Sequence, residues 1–304
     1  MKKSPLKING DFFFGGALGA AALAIVCILV LIFVLLFYKS LPAMKHFGPG
    51  FVTGTQWDPV NDEFGAFPFI VGTLVTSFAA ILLTIPLSVA TSLFIREYAP
   101  PVVGGVISHM VDLLAAIPSV IYGMWGIFAM VPVVRLVQIF LNKHASFVPF
   151  LSGAPYGVGL MAAIIILVIM TLPYSISITR DVMNQVPLHL KEGAYALGAT
   201  RWTMVRKIII PYCRNGIMGG TTLALGRALG ETMAVTMVIG NSTRLPRTLF
   251  DPANTIASII ANQFNEASGT LFVSALINLA LILFLISFVI NTIGRIIIHK
   301  VRLH

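Results

Sequence analysis

The sequence predicts an all-α protein that is built into a membrane. Hydrophobic residues make up 57% of its 304 residues, charged residues make up only 10%, and the mean hydropathy is +0.93. A soluble globular domain carries about 25% charged residues. A helix needs about 20 apolar residues to cross the hydrocarbon of a bilayer, and six stretches of the chain meet that requirement. We therefore expect a bundle of transmembrane helices.

Polar segments separate the six predicted spans. We place the spans at 12–38, 67–95, 102–131, 156–179, 216–240 and 270–298. The first span is longer than the apolar core of a cleaved signal peptide, about 7–15 residues, so we expect it to be retained. Pro86, Pro118 and Pro173 fall inside spans. Each proline removes a backbone hydrogen-bond donor. It either bends a static helix or allows the bundle to open around a substrate path.

The distribution of Lys and Arg predicts the orientation of the chain. If the N-terminus is inside, 13 of the 20 Lys and Arg residues lie on the inner side and six on the outer side, with Arg227 within a span. Inner-membrane proteins collect Lys and Arg on cytoplasmic segments, which also explains the net charge of +9 without nucleic acid. Both termini are then cytoplasmic. The predicted parts are a cytoplasmic N-terminus (1–11), the first span with a periplasmic loop (12–66), a core of five spans (67–298) and a cytoplasmic tail (299–304).

The longest inner segment, 180–215, is too polar to cross the membrane and too periodic for a plain linker. Pro187 can open a first helix, Gly198 can end it in a left-handed conformation, and Thr200 can cap a second helix that Pro211 stops. Each helix has a predicted apolar face: Leu190, Ala194 and Leu197 in the first, and Trp202, Val205 and Ile209 in the second. Such a loop could lie on lipid headgroups or dock in a groove of a partner protein. The glycine turn favours the partner, because docking gains from a fixed shape.

This loop resembles the coupling-loop signature of ABC importer membrane subunits. The match consists of Glu192-Gly193-Ala194, Gly198, Ile208 and Ile210-Pro211 at the family's spacing. Gly193 stands where Ala is usual and loosens the helix by about 1 kcal/mol, and Ile210 stands where Leu is usual. The resemblance implies the type I importer permease fold and a loop that docks on a cytoplasmic ATPase subunit. The chain has no G-x-x-x-x-G-K-[ST] phosphate-binding loop, so ATP is used by another polypeptide and this chain binds no cofactor.

The fifth predicted span carries two charges, Arg227 and Glu231. A spacing of four residues places both on one face of a helix, about 6 Å apart. An unpaired Arg in a span costs about 2.5–3.5 kcal/mol on insertion scales, and Glu231 could neutralise it. The pair either pins contacts between helices or forms part of an anion path, because a guanidinium matches the oxygens of carboxylate and phosphate.

A second resemblance covers most of the chain from residue 67 onward. The stretches "GRALGETMAVTMVIGN" and "DLLAAIPSVIYGMWGIF" are similar to the PstC-type permease of phosphate-specific ABC importers. The resemblance implies a transport subunit that is not an enzyme, with phosphate as substrate and Arg227 and Glu231 along the route. It also implies a second permease (PstA type), an ATPase dimer (PstB type) and an external phosphate-binding protein (PstS type). The residues alone indicate only a small anion.

Three further side chains are candidates for the lining of a cavity. Ser119 and Tyr122 could line the path or bond to nearby backbone, and Asp112 could face the cavity or the cytoplasmic interface. The histidines, carboxylates and two cysteines show no catalytic or metal-ligand spacing, so we predict neither kind of site. Alternative functions are transport of sulfate or molybdate, a self-powered secondary transporter and a channel or scaffold subunit. A secondary transporter tends to show inverted repeats, and a channel leaves the glycine-hinged loop unexplained.

Overall fold

A computed structural model describes residues 8–144 and 147–301, so the predicted terminal segments are covered only in part. Within these ranges the chain is almost entirely helical. The first half contains α1 Ile8–Phe47, α2 Gly50–Thr53, β1 Trp57–Asp58, β2 Glu63–Phe64, α3 Phe67–Leu93, α4 Pro101–Ala115, α5 Ser119–Trp125 and α6 Val131–His144. The second half contains α7 Leu160–Asn184, α8 Leu188–Ala196, α9 Arg201–Met204, α10 Ile210–Leu229, α11 Met233–Val238, α12 Ile256–Gln263 and α13 Thr270–Val301.

Single π-helical turns extend one helix and join two pairs of others without a break. They lie at Phe94–Tyr98 after α3, Gly126–Met130 between α5 and α6, and Val205–Ile209 between α9 and α10. Among the described residues, five continuous helices are long and apolar enough to cross a bilayer: Phe13–Phe47, Phe67–Tyr98, Ser119–His144, Leu160–Asn184 and Thr270–Ile298. The chain therefore has the predicted all-helical membrane architecture, and the count of six spans stays a prediction.

The predicted third span, 102–131, is wrong in its position. Helix α4 ends at Ala115, and α5 begins at Ser119 with Pro118 as its N-cap. Proline disfavours helical conformation in the residue before it and has no N–H to continue the ladder. The long apolar helix therefore starts after Pro118 and runs to His144. By contrast, α3 and α7 continue through Pro86 and Pro173.

The core of the bundle lies where α3, α7 and α10 meet. The buried hydroxyl groups of Thr84 on α3 and Thr171 on α7 form a hydrogen bond of 3.0 Å. A Cβ atom added at Gly216 would lie 2.4 Å from Cγ1 of Val182, and one at Gly220 would lie 2.7 Å from Cγ2 of Ile178. The absence of side chains at these two glycines thus lets α10 approach α7 closely, as spacing of small residues predicts.

Helix α1 is attached to α13 through a hydroxyl group. The Ser274 hydroxyl accepts a hydrogen bond from the Ala43 N–H and donates one to the Lys39 carbonyl, both at 3.0 Å. These two backbone groups are four residues apart, the separation that an α-helix pairs directly. Pro42 lies inside the helix beside them. Ser274 therefore bridges the backbone of α1 where the helix departs from regular pairing.

Replacing Ser274 with Ala should loosen the joint between α1 and α13. The buried Ala43 N–H and Lys39 C=O would lose a partner, at a cost of about 1–3 kcal/mol. Thermal unfolding in detergent would measure the loss. Thr292→Val is the control, because the Thr292 hydroxyl donates only within its own helix, to the Phe288 carbonyl. Equal midpoints for the two variants would contradict this role of Ser274.

The predicted periplasmic loop between the first two spans, residues 39–66, contains regular secondary structure. Helix α1 extends to Phe47, and β1 and β2 form an antiparallel hairpin with Trp57 opposite Phe64. Trp57 is buried against Phe69 and Phe272, and its Nε1 donates to Gln263 Oε1 at 2.8 Å. Trp57 therefore belongs to the core and not to a solvated face, because distant helices supply the aromatic contacts that cover it.

Candidate functional site

Arg227 lies near the end of α10 and is exposed in the single chain. Its Cζ atom is 5.7 Å from the centre of the Tyr174 ring on α7, within the range of a cation–π contact. The preceding Gly226 packs near Asn291 of α13, where an added Cβ would lie 3.5 Å from the Asn291 side chain. The guanidinium is thus held at the α7 side of α10 by a neutral aromatic ring.

The predicted ion pair within one helix is wrong. Helix α10 ends at Leu229, Gly230 is its C-cap, and Glu231 lies in the turn before α11. The Glu231 carboxylate instead accepts a long hydrogen bond, 3.4 Å, from the Ala234 N–H in the first turn of α11. Among the residues whose side chains the structure describes, 13–144 and 147–298, no carboxylate oxygen lies within 4 Å of the Arg227 guanidinium. Glycine and threonine around Glu231 are signals for the end of one helix and the start of another.

The break gives the two charges separate environments. Carboxylates are stabilised near the free N–H groups at the start of a helix, so Glu231 has a partner that does not involve Arg227. The guanidinium keeps its planar set of N–H donors available beside the Tyr174 ring. Such a fork can bind two oxygens of one oxyanion at once. The arrangement can therefore hold a small oxyanion at the junction of α10 and α11.

The three candidate cavity residues have different neighbours. Tyr122 is buried and its hydroxyl donates to the Leu114 carbonyl at 2.8 Å, which agrees with the backbone-bonding alternative. Ser119 is the half-buried first residue of α5. Asp112 of α4 accepts hydrogen bonds from the Arg180 guanidinium of α7 at 3.2 and 3.3 Å. No sequence pattern signals this Asp112–Arg180 pair, because 68 residues separate its members.

The loop that resembles the coupling signature has the predicted helix, turn and helix. Gly198 has a φ of +76°. The Gly198 N–H donates to the Tyr195 carbonyl and the Ala199 N–H to the Ala194 carbonyl, the two bonds of a Schellman motif. The Thr200 hydroxyl accepts from the Thr203 N–H at 3.2 Å and caps α9. The predictions for Gly198 and Thr200 are therefore confirmed.

Pro211 does not stop the second helix, contrary to prediction. The helix continues from α9 through the π turn Val205–Ile209 into α10, and Pro211 lies in the first turn of α10. Proline is tolerated where the ladder is already rearranged, and a π turn is such a place. Pro187 is the N-cap of α8, immediately before the helix that it was predicted to open.

The predicted apolar faces of the loop divide between the core and the surface. Ala194, Val205 and Ile209 are buried, whereas the other members of both faces are exposed. Glu192 and Gly193 are exposed as well. From α8 to α9, the exposed large apolar side chains are Leu188, Leu190, Tyr195, Leu197 and Trp202. A group of exposed apolar residues on a rigid loop is typical of a surface that binds another protein.

Comparison with known proteins identifies the family. Residues 88–303 match the family model described as the binding-protein-dependent transport system inner membrane component. The chain belongs to this family of ABC importer permeases. The matched region includes α8, the Gly198 turn and the junction of α10 and α11.

Curated relatives of this permease are similar over nearly its whole length. The phosphate transport system permease protein PstC of Mesorhizobium japonicum is 46% identical over 290 residues, which cover 94% of this chain and 89% of that protein. The protein of the same name from Haemophilus influenzae is 46% identical over 286 residues, or 92% and 90% of the two chains. A probable PstC from Methanocaldococcus jannaschii is 38% identical over 291 residues, with 93% and 92% covered.

Solved structures share the fold of this permease. A chain of a bacterial alginate ABC transporter, in complex with an alginate-bound periplasmic protein, aligns with a TM-score of 0.60 at 18% identity, covering 95% of this chain and 96% of that one. A chain of the inward-facing MetNI methionine ABC transporter aligns with a TM-score of 0.55 at 19% identity, covering 78% and 94%. The permease is thus an integral inner-membrane transport component rather than an enzyme, and its family implies ATPase and substrate-binding partners.

Proposed function

We propose that this permease carries inorganic phosphate across the cytoplasmic membrane as the membrane-spanning subunit of an ATP-driven importer. The observation that supports this most strongly is 46% identity to PstC phosphate permeases over 94% of the chain. The site geometry agrees with this function, because a guanidinium that pairs with no carboxylate among the described side chains suits a small oxyanion. A sulfate or molybdate permease remains an outcome of the test.

The proposed assembly has three kinds of protein partner, each with a stated place. A PstA-type permease completes the membrane unit, a PstB-type ATPase dimer binds inside, and a PstS-type protein delivers phosphate outside. Both termini lie in the cytoplasm, as the Lys and Arg distribution indicates. ATP is bound and hydrolysed by the ATPase subunits.

Within this assembly, Arg227 and Glu231 line the route of the anion. Arg227 offers its donors to phosphate, and Glu231 adds a nearby negative charge that keeps binding weak, because a conduit must release what it binds. Tyr122, Ser119 and Asp112 belong to the surroundings of the route; Asp112 acts there with Arg180 as a neutralised pair.

The α8–Gly198–α9 loop docks on the ATPase. Glu192, Gly193, Ala194, Gly198 and Pro211 are the positions that match the coupling signature. The exposed apolar side chains around Leu197 and Trp202 supply the contact area, and the Schellman turn fixes its shape.

Reconstitution of the importer in liposomes tests the proposed function. With ATP on the ATPase side and loaded binding protein on the other side, we expect uptake of radiolabelled phosphate that excess sulfate does not reduce. The chain alone, under an ion gradient, should carry no phosphate. ATP-driven uptake of sulfate instead of phosphate would indicate that the importer carries another oxyanion. Gradient-driven flux through the chain alone would indicate a secondary transporter.

A further inference from the structure

Helix α8 has little apolar contact with the rest of the chain. Ala194 is the only buried side chain among its nine residues, Leu188–Ala196. Ala194 belongs to an apolar cluster with Val205, Ile209 and Cys213, against which Val89 and Leu93 of α3 also pack. One methyl group buries little surface, so packing alone holds α8 weakly against the spanning helices.

An ion pair supplies the second attachment of α8. Lys191 Nζ contacts Glu97 Oε1, and the two side chains are only 17% and 9% exposed. Lys191 lies three residues before Ala194 and therefore on the same face of the helix. Glu97 lies in the π turn Phe94–Tyr98 that ends the α3 span. The pair thus joins the predicted docking helix to a membrane-spanning helix that is 94 residues away in sequence.

The ion pair is shielded from solvent, which distinguishes it from the exposed charges on the same loop. A screened surface pair contributes little to stability, whereas removal of one partner of a shielded pair leaves the other charge without compensation. Arg206 and Lys207 are exposed on the π turn that follows α9. Lys207 therefore provides a matched control for loss of one positive charge from the loop.

Cys213 lies beside the pair and can report on it. Its side chain is fully buried, and both Lys191 and Glu97 are close enough to influence it. Burial raises the pKa of the Cys213 thiol to about 11. Since the thiolate is the reactive form, Cys213 should react slowly with maleimides while α8 stays seated against α3.

We propose that Glu97 and Lys191 are positioning residues that transmit movement of the docking loop to the α3 span. The inference rests on the proposed function, in which α8 binds the ATPase. Displacement of α8 pulls directly on the inner end of α3 through the ion pair. Loss of either charge leaves α8 attached mainly through Ala194. ATP hydrolysis then continues, but the α3 span moves less when α8 moves.

The test uses the complete reconstituted importer with Glu97→Gln, Lys191→Gln and the double exchange Glu97→Lys with Lys191→Glu. Contacting charges are energetically coupled. We therefore expect each single variant to lower phosphate transported per ATP by roughly three- to tenfold, which corresponds to about 0.7–1.4 kcal/mol, with ATP hydrolysis within about twofold of wild type. The double exchange should restore most of the phosphate transported per ATP, and Lys207→Gln should leave this quantity unchanged.

Labelling of Cys213 gives a second readout that does not depend on transport. In a Cys27→Ser background, we expect both single Gln variants to react with maleimide at least about tenfold faster than the parent, because the thiol becomes accessible. ATP hydrolysis and uptake that fall in parallel, or an exchange variant that rescues nothing, would overturn the proposal. Wild-type importer that takes up no phosphate would instead contradict the proposed function, and unchanged labelling in the single variants would then still overturn the link between α8 and α3.

Discussion

Replacing Arg227 with Gln should remove nearly all phosphate uptake by the assembled importer. Gln keeps some hydrogen-bonding capacity but has no charge and no planar fork. Hydrogen bonds to charged groups contribute about 1.5–3 kcal/mol each, so loss of the fork lowers transport by roughly 10- to 150-fold. Assembly should persist, because the guanidinium is exposed in the single chain and lies beside the Tyr174 ring rather than in the buried core.

The control for this experiment separates charge from geometry. Arg227→Lys keeps the positive charge but replaces two parallel donors with a point charge, so we expect intermediate uptake. Copurification of the partner subunits and ATP hydrolysis should match wild type in both variants. Normal phosphate uptake by Arg227→Gln would show that Arg227 has a structural role. Failure of the variant to assemble would also contradict its placement on the route.

The second large effect is expected at the docking loop. Replacing Glu192 should uncouple ATP hydrolysis from uptake while the protein stays in the membrane, because Glu192 is exposed on α8, the helix that we propose binds the ATPase. Replacing Gly198 with Ala should act through the backbone. Gly198 has a φ of +76°, and an added Cβ would meet no atom within 4 Å. The free-energy cost is therefore only that of holding Ala in the left-handed conformation, about 1–2 kcal/mol.

Gly193 provides the matched control for Gly198. It lies within α8, has no positive φ, and also has open space around an added Cβ. Gly193→Ala should therefore stabilise α8 by about 1 kcal/mol, whereas the same change at Gly198 distorts the turn. The measurement is phosphate uptake per ATP hydrolysed in membranes of equal protein content. Equal coupling in the two Ala variants, or normal uptake in Glu192 variants, would argue against the docking role.

Local features were predictable because their causes lie within a few residues. The Gly198 turn and the Thr200 cap depend on backbone preference and short-range hydrogen bonds, and the structure places both as expected. The end of α10 at Leu229 was also readable from Gly230 and Thr232. The expectation of an Arg227–Glu231 pair failed because a four-residue spacing is meaningful only where the helix is unbroken.

The sequence by itself determined the class of this protein. The chain has few charged residues and long apolar stretches, and such a chain is solvated only as a bundle of helices in a membrane. The residue spacing in its coupling loop indicates the family. Tertiary structure alone decided which charges meet. Asp112 contacts Arg180 and Glu97 contacts Lys191 across 68 and 94 residues. Contacts at such separations depend on how whole helices pack against one another, and no local pattern in the chain encodes that packing.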